Sequence, residues 1–328
     1  MRHRYISYFA GIFLLAFFAV LNTGVLISVS GFQRLQKPVV SQPDFRRQPV
    51  SETMQVYLKQ AADPGRDVGL YWMATDFENR RFPGKVSPSG FQKLYRQWRN
   101  QTGWDAYVQS CRAIWNDVKY FPIPQSLDDT EDKISYVDSW MFERNYGGKR
   151  GHEGTDIMAE KNTPGYYPVV SMTDGVVTEK GWLEKGGWRI GIRSLDQKRY
   201  YYYAHLRKNY PYQSNLSQGS YVQAGDVIGY LGRTGYSTTE NTNNIDTPHL
   251  HFGLELIFDE ARRQEGKEVW IDCYGLIQFL ERSRCETVKV EGTKEWIRVY
   301  GMKEADPQRG GNLPEEGSSL APSMTGGG

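Results

Sequence analysis

Residues 247–256 read TPHLHFGLEL, with two histidines on either side of one leucine inside an otherwise apolar run. On a strand, residues i and i+2 point to the same face. The run therefore predicts a strand from which His249 and His251 project together into one site. Two adjacent imidazoles suit a plain core poorly, because each carries polar nitrogens that need partners. They suit a site where a metal takes one ring and a water or substrate takes the other. The chain of 328 residues holds five histidines, and four of them are His152, His205, His249 and His251.

Working outward from that strand, Gly, Tyr and β-branched residues dominate from about 135 to 257. WRIGIRS and RYYYYAHL alternate around a polar turn and predict a hairpin. YYPVVSMTDGVVTEKG predicts another, with Thr173, Asp174 and Gly175 near its turn. SYVQAGDVIGYLG predicts short strands around Ala224, Gly225 and Asp226. The fold class expected is mostly antiparallel β, α+β overall, with the β domain at 135–285. IDCYGLIQFLERS predicts a helix, and 286–305 a last hairpin. The tail 306–328 is rich in Gly, Pro, Ser and Glu and is expected to be disordered.

Upstream, 49–134 predicts about three amphipathic helices, from apolar residues at three- and four-residue spacing and from Ser51 as an N-cap. Loops are expected at Asp63, Pro64 and Gly65 and again at Phe82, Pro83 and Gly84. No histidine lies in this segment. Residues 31–48 have the composition of a linker. Residues 8–29 carry no charge and follow Arg2 and Arg4, and a bilayer span needs about 20 such residues. No small-residue cleavage site follows. Residues 1–30 are therefore expected to be a cytoplasmic N-terminus and uncleaved signal anchor, with the remainder outside the membrane. A net charge of +2 gives no reason to expect a nucleic-acid partner. Cys111, Cys273 and Cys285 form no CxxC motif, so a cysteine zinc site is not expected. Cys273 and Cys285 either pair or, with Cys111, stay as free thiols.

The histidine-rich segments are HEGTD, from His152 to Asp156, the strand end YYAHL with His205, and HLHF. Histidine and carboxylate are the ligands of open zinc sites, where a fourth position is left for a water whose pKa falls to ~7. HExxH is absent. HxHxxxE, ending at Glu255, matches part of a cupin metal motif but lacks its glycines and a later histidine. The three motifs together, in order and spacing, resemble the M23 metallopeptidases of the LytM/lysostaphin type, over about residues 140–258. PVVSMTDGVV and VQAGDVIGYLGRTGYS strengthen the resemblance.

The resemblance implies one zinc ion per chain held by His152, Asp156 and His251. It implies that His205 and His249 flank the fourth position, orient and deprotonate the water and stabilise the tetrahedral intermediate. Tyr146, shortly before the first motif, stands where a family tyrosine helps hold the oxyanion. The expected activity is hydrolysis of peptide bonds in peptidoglycan stems or cross-bridges at the cell-wall side of the membrane. The alternative is a silent scaffold of the sporulation type, binding a partner protein at the envelope. All five polar positions are intact, which favours the enzyme.

Overall fold

The structure, a computed structural model, describes residues 11–22, 35, 42–78, 82, 84–127, 133–258 and 260–300. Residues 11–22 form a helix, α1, that exposes Phe13, Leu15 and Val20. Among the described residues no helix is long and apolar enough to cross a membrane. The span expected at 8–29 lies partly outside those residues, and the expected tail 306–328 lies wholly outside them.

Among the described residues, five further helices precede the sheets: α2 (Pro43–Arg46), α3 (Glu52–Leu58), α4 (Pro64–Thr75), α5 (Pro88–Trp98) and α6 (Trp104–Trp115). The expected loop at Asp63, Pro64 and Gly65 is instead the start of α4. The Asp63 carboxylate accepts from the Arg66 N–H, and Pro64 takes the first helical position, where its missing N–H costs nothing. Arg112 of α6 pairs with Asp63 at 2.6 Å, tying the two helices together. Residues 42–48, linker-like in composition, are folded against this bundle. Phe45 is fully buried, edge-on to Trp72 and Tyr107.

The sheets comprise β1 (Gln125–Ser126), β2 (Ile134–Tyr136), β3 (Glu143–Arg144), β4 (Arg150–Gly151), β5 (Thr155–Ala159), β6 (Pro168–Val170), β7 (Gly175–Leu183), β8 (Gly187–Ser194), β9 (Arg199–Ala204), β10 (Tyr221–Val222), β11 (Val227–Tyr230), β12 (His249–Leu256), β13 (Val269–Ile271), β14 (Glu286–Lys289) and β15 (Trp296–Arg298). Helix α7 (Glu260–Gln264) follows β12, and α8 (Tyr274–Leu280) follows β13. The main sheet runs β10-β7-β8-β9-β12-β5-β2, with β13 also on β12. Its pairings are antiparallel, and the one parallel pairing among the described strands is β1 with β14. The fold is thus mixed α+β with mostly antiparallel sheets.

The hairpins β8–β9 and β14–β15 form where the alternation places them. The hairpin expected around Thr173–Asp174–Gly175 does not form. β6 pairs with β11, while β7 pairs with β8 and β10. Val169 and Val170 are both fully buried, so this short strand lies between two layers and has no solvent face to fix its partner by alternation. The three cysteines are free and buried, so Cys273 and Cys285 do not pair.

Candidate metal and catalytic centre

Strand β12 sits between β5 and β9, and this neighbourhood assembles the site. His251 is the Cα partner of Asp156 on β5 and of Ala204 on β9. The register therefore brings the end of HEGTD and the end of YYAHL beside HLH. His152 Nε2 lies 3.0 Å from Asp156 Oδ1, His251 Nδ1 lies 3.0 Å from the same oxygen, and the two nitrogens are 2.9 Å apart. One ligand atom from each of the three falls within 4.8 Å of the others. His249 Nε2 stands 3.9 Å from Asp156 Oδ1. The His205 ring centroid is 4.8 Å from that of His249 and 6.0 Å from that of His251.

The outer nitrogens fix how the rings face inward. A backbone carbonyl only accepts, so the ring nitrogen against it carries the proton. His152 Nδ1 meets the Ser139 carbonyl at 3.1 Å, His205 Nδ1 the Thr234 carbonyl at 2.9 Å, and His249 Nδ1 the Thr247 carbonyl at 2.9 Å. Each Nε2 is left with a lone pair. Burial lowers the pKa of His251, and burial together with His249 and His251 drives that of His205 well below the ordinary imidazole value. Burial alone would raise the Asp156 carboxyl. The close contacts with His152, His251 and His249 override it and hold the group below the carboxylate range.

An ionised carboxylate oxygen and two inward-facing imidazole nitrogens, all about 3 Å apart, repel one another unless something positive sits among them. That donor set fits a borderline divalent cation such as zinc.

Backbone strain accompanies the geometry. His205 has a φ of 62°, in the left-handed region, and its N–H bonds to the Gly186 carbonyl at 2.8 Å. Gly154, at φ 150°, passes so close to His251 that a Cβ there would stand 2.7 Å from Cε1 of the ring. The middle residue of HEGTD therefore has to be glycine.

Two contacts were not legible from the motifs. Arg144 donates to Asp156 Oδ2 at 2.6 Å, leaving Oδ1 for the histidine side. Tyr236 packs against His205 with ring centroids 5.7 Å apart. Tyr146 lies one ring further out, tilted against Tyr236 with ring centroids 5.0 Å apart. Sequence spacing offers no signal for either, since β3 and the loop carrying Tyr236 reach the site only through tertiary packing. Glu255 lies elsewhere. It is 1% exposed and bonded to Arg263 at 2.9 Å, so HxHxxxE does not close around a metal. A groove of about 630 Å³ opens beside the histidines, with Met141, Gly186, Tyr200, Tyr202 and Trp270 among its walls.

A triangle of His, Asp and His beside an antiparallel sheet, with two further histidines next to it, is the arrangement of a candidate catalytic metal site. Residues 150–268 match Peptidase family M23, and residues 30–117 match LytM, N-terminal domain. A solved structure from Ruminococcus gnavus ATCC 29149, provisionally assigned as the glycyl-glycine endopeptidase lytM, is 74% identical. It covers 79% of this chain and 99% of its own, with a TM-score of 0.70. The L-Ala--D-Glu endopeptidase of Bacillus subtilis (strain 168) is 40% identical over 49% of this chain and 44% of its own. Lysostaphin of Staphylococcus staphylolyticus is 37% identical over 31% of this chain and 18% of its own. The chain belongs to the M23 family of metallopeptidases. It spans less than half the length of these two curated relatives.

Proposed function

We propose that the chain is a zinc-dependent endopeptidase that hydrolyses peptide bonds in peptidoglycan stem peptides or cross-bridges. The observation that carries this reading is the convergence of His152, Asp156 and His251 on one point, with the rings of His205 and His249 beside it. The endopeptidase names of the Bacillus subtilis and Ruminococcus gnavus relatives support it. His152 Nε2, Asp156 Oδ1 and His251 Nδ1 would hold the ion. When bound, zinc supplies Lewis acidity and lowers the pKa of its water to ~7.

The rest is done by residues of this chain. His249 and His205, both fixed by carbonyls behind them, accept the proton of the attacking water and orient it. Once protonated, an imidazole in this position stabilises the oxyanion that forms on the scissile carbonyl. The oxyanion role expected of Tyr146 is proposed jointly for Tyr146 and Tyr236. Tyr236 is packed on His205, and Tyr146 packs against Tyr236.

We also propose that residues 8–29 anchor the chain in the cell membrane, with the catalytic part on the cell-wall side. The uncharged run and the apolar side chains that α1 exposes support this.

Two variants separate the roles. His251→Ala removes a ligand and is expected to lose metal and turnover together. His249→Ala is expected to keep most of its metal and lose about 10²–10⁴ in kcat, the range of a general acid–base contribution. Metal analysis beside release of peptides from purified peptidoglycan checks both. Full activity in both variants would overturn the assignment.

A further inference from the structure

The groove beside the histidines is lined by Glu153, Glu179, Glu184 and Glu268 and by Arg150, Lys185 and Arg263, and its Arg150 side chain is left without a partner among the described residues. Each groove carboxylate already has a donor. Arg46 reaches Glu153 at 2.5 Å. The Tyr200 hydroxyl donates to Glu179 at 2.8 Å, and Arg263 stands 3.3 Å from the same carboxylate. Glu184 bonds to the Tyr146 hydroxyl, and Glu268 accepts from the Trp270 indole at 2.7 Å.

Unbonded donors stand on Arg150, which lines the groove, and on Arg189, which lies behind the groove's Glu179. Arg150 Nε and Arg189 Nε and Nη1 are buried and bond to nothing among the described residues. Arg189 has only a 3.5 Å contact, from Nη2 to Glu179. Other arginines with an unbonded Nε, such as Arg199 and Arg298, bond through their Nη atoms to Asp117 and to Tyr120. Arg150 makes no side-chain hydrogen bond or ion pair to any described residue. Burying guanidinium donors without acceptors costs about 1–3 kcal/mol per group, so an unmatched arginine facing a groove calls for an anion.

Position adds a second observation. Arg150 is the Cα partner of Arg144 across β3 and β4, and like charges directly opposite on a ribbon destabilise it. Arg144 is relieved by Asp156, whereas Arg150 is not relieved. Arg150 lines the groove two residues before His152, and both Arg150 and Arg189 lie within electrostatic reach of the Tyr202 hydroxyl. The Tyr202 ring in turn packs edge-on against His251 at 5.9 Å. An anion held by Arg150 would therefore sit beside the reacting bond.

The geometry points to Arg150, assisted by Arg189, as a carboxylate subsite next to the metal triangle. The substrate class is then a peptide with an acidic residue beside the scissile bond, not a run of glycines. This rests on the endopeptidase reading above and narrows it.

The test uses the zinc-loaded full chain with three peptides: L-Ala-γ-D-Glu-L-Lys with its free α-carboxylate, the same peptide as the α-carboxamide, and pentaglycine. The free acid is expected to be cleaved with a kcat/KM about tenfold or more above the amide, the usual worth of a charge-assisted contact. Arg150→Gln should erase that preference by bringing the rate for the acid down to that for the amide. Arg150→Lys should restore part of it. Equal rates for acid and amide, preference for pentaglycine, or a preference that survives Arg150→Gln would overturn the subsite. If purified peptidoglycan is cleaved but the acid is not preferred, the subsite fails and the endopeptidase reading stands. If nothing is cleaved, calorimetric binding of the acid and the amide decides. Tighter binding of the acid that Arg150→Gln removes supports the subsite, and equal binding overturns it.

Discussion

At the residue scale the site is controlled by what stands behind each ligand. Arg144 holds one oxygen of Asp156 at 2.6 Å and so turns the other toward His152 and His251. Partners of this kind typically cost 10–100-fold in metal affinity when removed. Arg144→Ala is therefore expected to weaken metal binding by about that factor while leaving the fold intact, as competition against a chelator would show. His205 makes a pH prediction. Burial and two neighbouring histidines lower its pKa, so the ring stays neutral below pH ~6.5, where a free imidazole would charge. The acid limb of kcat/KM is expected to lie below that pH. A limb near or above it would show that His205 is not the group that must stay neutral. His249, His251, His152, Asp156 and His205 could all be read from the chain, because strand alternation and three short motifs carry them. Arg144 and Tyr236 could not, because neither lies in a motif and both depend on how β3 and a remote loop pack.

At the scale of elements, close approaches set the limits. Gly65, in the first turn of α4, lies against α6 so tightly that a Cβ would be 2.4 Å from the Arg112 Cα. Backbone cannot give way as a side-chain end can. Gly65→Ala is expected to destabilise by about 1–3 kcal/mol, measured by denaturant unfolding. Reading Pro64–Gly65 as a loop was reasonable from composition. It failed because Asp63 as cap and Pro64 at the first position make a helix start, and the glycine serves the helix contact.

Asp272, just before α8, accepts from the Tyr274 N–H at 2.9 Å, and burial, with Asp138 nearby, pushes its pKa up to about 7. Its unfolded value is near 3.9, so the folded state binds more protons between about pH 4 and 7 and stability falls as pH rises through that window. Asp272→Asn keeps the acceptor and removes the charge. It is expected to raise the melting temperature at pH 8 and to leave it nearly unchanged at pH 4. An equal shift at both pH values would contradict the assignment.

At the scale of the molecule, the N-terminal helices and the sheet share a core, and their contact reaches the groove. Phe45 fills the helical bundle while the next residue, Arg46, bonds to the Trp270 carbonyl at 2.8 Å and to Glu153 at 2.5 Å. The guanidinium also lies 5.4 Å from the Trp140 ring centroid. Phe45→Ala is expected to cost about 3–5 kcal/mol, read in chemical unfolding of the full chain. The antiparallel sheet was legible because alternating strands carry their own period. The sheet to which β6 belongs and the docking of 42–48 were not, since a strand buried on both faces and a short polar stretch give no periodic signal.

The central claim, a metal-dependent hydrolytic centre built from His152, Asp156 and His251, is tested most directly by metal analysis of the purified chain paired with peptide release from peptidoglycan. About one zinc per chain, with release abolished by a chelator and restored by zinc, is the predicted result. Peptide release that persists at full rate in chelator-stripped, metal-free protein would contradict it.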